Sequence, residues 1–360
     1  MNRAQTIDRG FSLVESLVAL VLLLVVMGAV FGLVNPSSIA SRAQPEAIDV
    51  QQRARVAADA LQRDLSMSGA GPRSGPATGS LINHFAAVVP RRMGLQGSDA
   101  YNVARSDAIT IYRVAAGERQ TTLLDPLPAG SLNLTVNEPS NGPAANGVCG
   151  LVPGKSVVVF DDRAIFDRFS VTQIVNPAAL LQPHQSSSAG YAAGAIVAEA
   201  ESDIYWHNGP AKQLRHYDGY LTDVPVVDNV VGLGFAYFGD PAPPVRPKPP
   251  LGTMNCLYDA GGNLTAGLVT LAPQGGSLAE LPLSMLNDGP WCGAGDNRFD
   301  ADLLRVRRVR VSLRIQATQA AHRGAGADYA NAGFGRNALA AVPDYSITFD
   351  IAPRNLNPGR

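Results

Sequence analysis

Between Phe11 and Val34 stand 24 residues, and Glu15 is the one charged side chain among them. A carboxylate buried in lipid costs about 2.5–3.5 kcal/mol, less if it snorkels toward the interface. An acid kept at that cost suits pairing. An amino group held nearby in low dielectric, on the same or a neighbouring chain, would set the register of packed helices. A second group of oxygen ligands lies in "GDNRFDAD" at 295–302, with Asp296, Asn297, Asp300 and Asp302. Such ligands suit calcium, but the EF-hand spacing is absent, and the segment reads first as a solvated turn.

The remaining reactive residue types form no familiar constellation. Cys149, Cys256 and Cys292 stand far apart, with no C-x-x-C pair. In an oxidising compartment a Cys256–Cys292 bond would close a loop of about 37 residues and stabilise by about 4 kcal/mol on the chain-entropy account. Cys149 would then be free; its pairing with Cys256 or Cys292 stays open. "GLVPGKS" at 150–156 has three residues between its glycines where a phosphate loop needs four, and a strand-like run follows. His84, His184, His207, His216 and His322 show no metal spacing, and His207 and His216 read as packing beside aromatic strand residues. No G-x-S-x-G elbow is present. No catalytic, cofactor-binding or metal residue is therefore expected, and the chain does not read as an enzyme. With 29 basic and 30 acidic residues the net charge is -1, so the arginines of 305–314 read as the wet face of a strand rather than a nucleic-acid surface.

The elements that must position Glu15 come next. A helix over 11–34 spans about 36 Å, enough for a hydrocarbon core of about 30 Å. The run is too long for the apolar part of a signal peptide, and no A-x-A site follows it. Arg3 and Arg9 precede it, which puts residues 1–10 in the cytoplasm and the chain after about residue 35 outside. Asn35-Pro36 should close this helix, because a residue before proline avoids helical geometry. After that break, Pro45 suits a first turn, and a second helix is expected over about 46–68. Its apolar face is Ala54, Ala57, Ala58, Leu61 and Leu65, and "SGAGP" ends it.

Beyond a connection at 73–106 the chain reads as strands. They are expected at 107–114, 131–136, 155–161, 166–175, 194–200, 203–208, 212–218, 228–239, 303–317 and 344–353. In 228–239 the dry side is Val231, Leu233, Phe235 and Tyr237. In 303–317, Val306, Val309, Val311, Leu313 and Ile315 form the dry face; Arg305, Arg307, Arg310, Ser312 and Arg314 form the wet one. The alternation slips at Arg307-Arg308, the mark of a bulge. The fold class is α+β: a long N-terminal helix, membrane-spanning then amphipathic, packed on mostly antiparallel sheet. Residues 240–302, opening with "DPAPPVRPKPP", read as a proline-rich insertion forming a surface excursion.

"RGFSLVES" resembles the class III leader of type IV prepilins and type II secretion pseudopilins. The resemblance implies a leader at 1–10, cleavage between Gly10 and Phe11 by a prepilin peptidase, and N-methylation of Phe11. It makes Glu15 the family's assembly acid. It further implies a transmembrane and assembly helix at 11–34, a stalk at 35–72 and an extracytoplasmic domain at 73–360. Segment order ("QRDLSMSGAG", "SDAITIYR", "VVVFD", "LRHYDG", "VRRVRVSLRIQA") is similar to PilW/PulJ-type minor pilins, with the 240–302 insertion as a departure. The implied role is a low-abundance structural subunit of a pilus or secretion filament, whose partners are other pilins, the prepilin peptidase and an inner-membrane assembly platform. A J-type pseudopilin of type II secretion and a membrane-anchored adhesin or ligand-binding protein are the alternatives.

Overall fold

The computed structural model describes residues 12–357 except 74, 76, 116, 118, 139–147, 176–177, 185–189, 266, 274–276 and 336–339; for 33–42 only the backbone is described. Gly10 and Phe11 lie outside the described residues. One helix, Leu13–Ser66, comes first, and antiparallel strands follow. The chain divides into two compact units: Met1–Gln51 with Gln316–Asp344, and Gln52–Ile315 with Tyr345–Arg360.

The expected break at Asn35-Pro36 is not there: the helix is continuous through both Pro36 and Pro45. A proline inside a helix removes one N–H and crowds the carbonyl four residues earlier. Around Pro45 the good helix formers Ala43, Gln44, Glu46 and Ala47 carry the helix past it; the flanks of Pro36, Asn35 and Ser37-Ser38, supply no such reason. The helix ends at Ser66, close to the expected stop at Ser68-Gly69. Its final turns bury the expected face: Ala54 and Ala58 are buried, and Ala57, Leu61 and Leu65 are 0% exposed. Each leucine contributes about 1.5–3 kcal/mol by leaving water.

Every strand pair in the larger sheets is antiparallel. One sheet runs Val88–Val89, Ala108–Arg113, Glu201–Asn208, Gln213–Tyr217, Asp223–Asp228. A second runs Gln120–Thr122, Ile196–Glu199, Ser156–Asp161, Ile165–Val175, Ala178–Pro183, Asn133–Thr135. A third runs Ala279–Leu281, Val230–Gly239, Val306–Ile315, Tyr345–Ile351. The run after "GLVPGKS" is the strand Ser156–Asp161, so the phosphate-loop arrangement is absent there.

Strand Val306–Ile315 alternates as expected, burying Val306, Val309, Val311, Leu313 and Ile315. Phe238 faces Arg308 and Gly239 faces Val306, so Arg307 is the extra residue of a bulge. Two details differ. Val230, not Val231, is buried, because the register also shifts between Val230 and Gly232. Arg305 is not on the wet face: it precedes the strand and is 0% exposed.

The insertion is a surface excursion only in its first part, where Val245, Leu251, Met254 and Val269 are exposed; its later part joins the fold. Ala279–Leu281 pairs with Tyr237–Gly239, and Trp291–Cys292 pairs with Phe299–Asp300. Phe299 is fully buried, its ring 6.0 Å from that of Phe166. Phe166 in turn stacks on Phe85 at 4.3 Å and meets Tyr112 at 5.3 Å. The proline-rich opening misled because the apolar anchors, Leu257, Leu281, Leu286 and Phe299, lie further along the segment.

Candidate functional site

The N-terminal site is built from two residues three apart. Ser12 is the last residue before the helix, and its carbonyl accepts from Ser16 N–H at 3.1 Å. Its hydroxyl accepts from Glu15 N–H at 3.2 Å, and the Glu15 carboxylate accepts from Ser12 N–H at 3.0 Å. This reciprocal pair is a capping box: it satisfies two donors that helix geometry would otherwise orphan. The carboxylate also sits at the positive end of the helix dipole. The S-x-x-E spacing of Ser12 and Glu15 before an apolar run is the sequence signature of this box.

Glu15 is the third residue of the segment Leu13–Gly32, a stretch of 20 residues long and apolar enough to cross a membrane, and 0% of it is buried. An unpartnered apolar helix of that length needs lipid or other helices around it.

At the other end of the helix, charged groups converge. Asp64, 3% exposed, accepts from the phenol of Tyr205 at 2.5 Å. Arg113 lies 3.7 Å from Asp64, 2.9 Å from Glu201 and 3.2 Å from Asp203. His216 Nε2 is 2.8 Å from Asp203. Burial first, then Asp64, pushes the Tyr205 phenol well above its ordinary value, so it stays a donor. His216 is thus part of a polar network as well as packed on Tyr205, at 5.0 Å; His207 Nε2 lies 2.9 Å from Val230 O. Asp64, Asp203 and His216 have ligand atoms close enough to hold a metal ion, but Arg113 already occupies the carboxylates as their cation.

The "GDNRFDAD" segment is not a solvated turn. Asn297, Asp300 and Asp302 are buried. Asp300 accepts from Gly289 N–H at 2.6 Å and from Asp302 N–H at 2.9 Å. Asp302 pairs with the buried Arg305 at 2.7 Å, and Arg305 donates to Val269 O at 2.8 Å. Burial is the main cause that pushes Asp300 up to about 6 and Asp302 up to about 7. Asp288, Asp300 and Asp302 are the second group with metal-ligand spacing; Asp296 is not in it.

Cys256 and Cys292 form a disulfide with a Cα separation of 4.9 Å, and Cys149 is a free, buried thiol. Burial raises that thiol. Ser170 Oγ and His184 Nε2 lie 2.6 Å apart, a spacing used in nucleophilic catalysis. Here Ser170 is 0% and His184 1% exposed, out of a substrate's reach. Burial, then Arg168, lowers His184 to about 2, so the ring is neutral. A cleft of about 410 Å³ is lined by Arg113, Lys155, Arg168, Glu199, Asp203, Asp218 and other residues. Arg168 donates from its wall to Asp218 O at 2.8 Å.

Residues 7–31 match the family model of the prokaryotic N-terminal methylation motif. The match covers the Gly10-Phe11 junction, Ser12, Glu15 and most of the apolar segment. It supports a type IV pilin- or pseudopilin-like protein, and with the apolar helix it fits a single-pass inner-membrane anchor. No curated protein and no solved structure matches the chain.

Proposed function

We propose that the chain is a minor pilin or pseudopilin, a non-catalytic structural subunit of a type IV pilus or related secretion filament. The observation that carries this reading is the methylation motif at 7–31, which takes in nearly all of an exposed apolar helix segment, Leu13–Gly32. In this reading the chain is held in the cytoplasmic membrane with residues 1–10 inside and the β-rich domain outside. Prepilin peptidase cuts between Gly10 and Phe11 and methylates Phe11. The assembly platform then draws the helix from lipid into a bundle of pilin helices. The Cys256–Cys292 disulfide suits an oxidising compartment on the outer side. Segment order is similar to that of PilW/PulJ-type subunits, which supports a place in an initiating tip complex; the J-type pseudopilin of type II secretion is the alternative within the same class.

A Gly10→Val variant tests the cleavage. Co-expressed with prepilin peptidase, wild type should lose ten residues and the variant should stay full length. Equal masses for the two chains would contradict the reading.

The polar cleft favours a second reading, a membrane-anchored ligand-binding protein. An Arg168→Gln variant that still folds separates them: it should leave filament incorporation intact in the first reading and abolish surface adhesion in the second.

A further inference from the structure

We infer that the edge strand Tyr345–Ile351 pairs antiparallel with the same strand of a second copy of this chain, Thr348 against Thr348. The inference does not depend on the filament reading. Proteins blunt open sheet edges with short strands, proline or charge. Among the described residues the other edges follow that rule: they are three residues or shorter, or, in Asp223–Asp228, carry Pro225. Tyr345–Ile351 runs seven residues without proline. Its one charge, Asp350, is held within its own sheet, by Arg310 at 2.7 Å and Arg308 at 3.5 Å.

Strand pairing shows which main-chain groups are open. Phe235 N–H donates to Ser106 O at 2.7 Å, so the main chain of Phe235 turns away from Val311 opposite it. The main chain of Val311 therefore faces Phe349 on its other side. That alternation leaves the N–H and C=O of Ser346, Thr348 and Asp350 pointing off the sheet, and no described residue bonds to them. The side chains are open too. Tyr345, Ile347, Phe349 and Ile351 continue the dry face of Ile315, Leu313, Val311 and Val309. Yet Tyr345 is 38% exposed, and Ile347 and Phe349 are half-buried. An incoming strand of alternating apolar and polar residues satisfies the free groups and covers this row at once.

The strand is itself such a partner. "YSITFDI" alternates Tyr345, Ile347, Phe349 and Ile351 with Ser346, Thr348 and Asp350. Laid antiparallel on its copy about Thr348, it sets Ile347 against the partner's Phe349 and Asp350 against the partner's Ser346. Threonine pairs and aromatic–β-branched pairs stabilise a ladder, and no carboxylate meets another. Every other register pairs fewer residues, and the one centred on Asp350 opposes two acids. The pair is closed by its two-fold axis, so it adds to the contacts that propagate a filament and is not one of them.

The test oxidises the purified full chain in detergent, carrying Thr348→Cys or, in parallel, Ser346→Cys. In this register the two copies of position 348 stand about 5.5 Å apart at Cα, within disulfide reach. The two copies of position 346 stand about 14 Å apart, beyond it. Thr348→Cys should give a covalent dimer, and Ser346→Cys and the wild type should not. No dimer, or equal dimer from both variants, overturns the inference. Thr348 is exposed, so Thr348→Lys leaves the fold intact while placing like charges opposite each other. It should weaken dimerisation about tenfold in sedimentation. Unchanged association overturns the inference. Neither measurement bears on prepilin processing, which the mature N-terminus reads.

Discussion

The Tyr205 phenol donates a 2.5 Å hydrogen bond to Asp64, tying the last turn of the long helix to the strand Glu201–Asn208. The same carboxylate is 3.7 Å from Arg113, which also holds Glu201 and Asp203. The apolar face of Leu61 and Leu65 supplies the packing energy, and this polar lock fixes the helix's rotation about its axis.

Removing half of that lock should cost more than removing its neutral partner. Asp64→Ala leaves Tyr205 and Arg113 short of an acceptor and should cost about 2–4 kcal/mol. Tyr205→Phe should cost about 1–2 kcal/mol. Denaturant titration of the detergent-solubilised chain checks both; equal losses would mean that Asp64 matters only through the phenol.

Glu15 has two uses that one pair of variants can separate. Glu15→Gln keeps a side-chain acceptor for the capping box but removes the charge; Glu15→Ala removes both. If charge pairing with the Phe11 amino group sets register, both variants should process normally and both should fail to enter filaments. Normal incorporation of Glu15→Gln, read by filament shearing and immunoblot, would assign Glu15 to capping alone.

Asp302 gives a pH signature of definite sign. Its folded value, raised to about 7, exceeds the ordinary carboxylate value of about 3.9. Between these the folded state holds a proton that the unfolded chain has lost, so the contribution of Asp302 to stability falls as pH rises. Asp302→Asn lacks that loss. Its stability relative to wild type should therefore improve from pH 5 to pH 8, by an amount on the order of 1–3 kcal/mol. Denaturant midpoints at the two pH values measure it, and a constant difference would contradict the assignment.

Strands whose side chains alternate were legible in the sequence. The bulge at Arg307 was legible too, because two polar residues in succession break a period of two. Asp223–Asp228 was not, since Pro225 argues against a strand; it is the sheet's edge, with Pro225 opposite Arg215 beside a register shift. Gln120–Thr122 is too short to show a period. Arg305, Asp300 and Asp302 read as solvent-facing because charge normally stays there; their burial depends on each other and on carbonyls brought from Pro241 and Val269. At the N-terminus the Gly10, Phe11 and Glu15 pattern was plain, while the Ser12 partner needed the helix start to be located.

The central claim is that the chain is processed as a prepilin, and mass spectrometry of its mature N-terminus tests that most directly. The account predicts a chain beginning at N-methylated Phe11. A chain that keeps Met1, or one cut near residue 40, would contradict it.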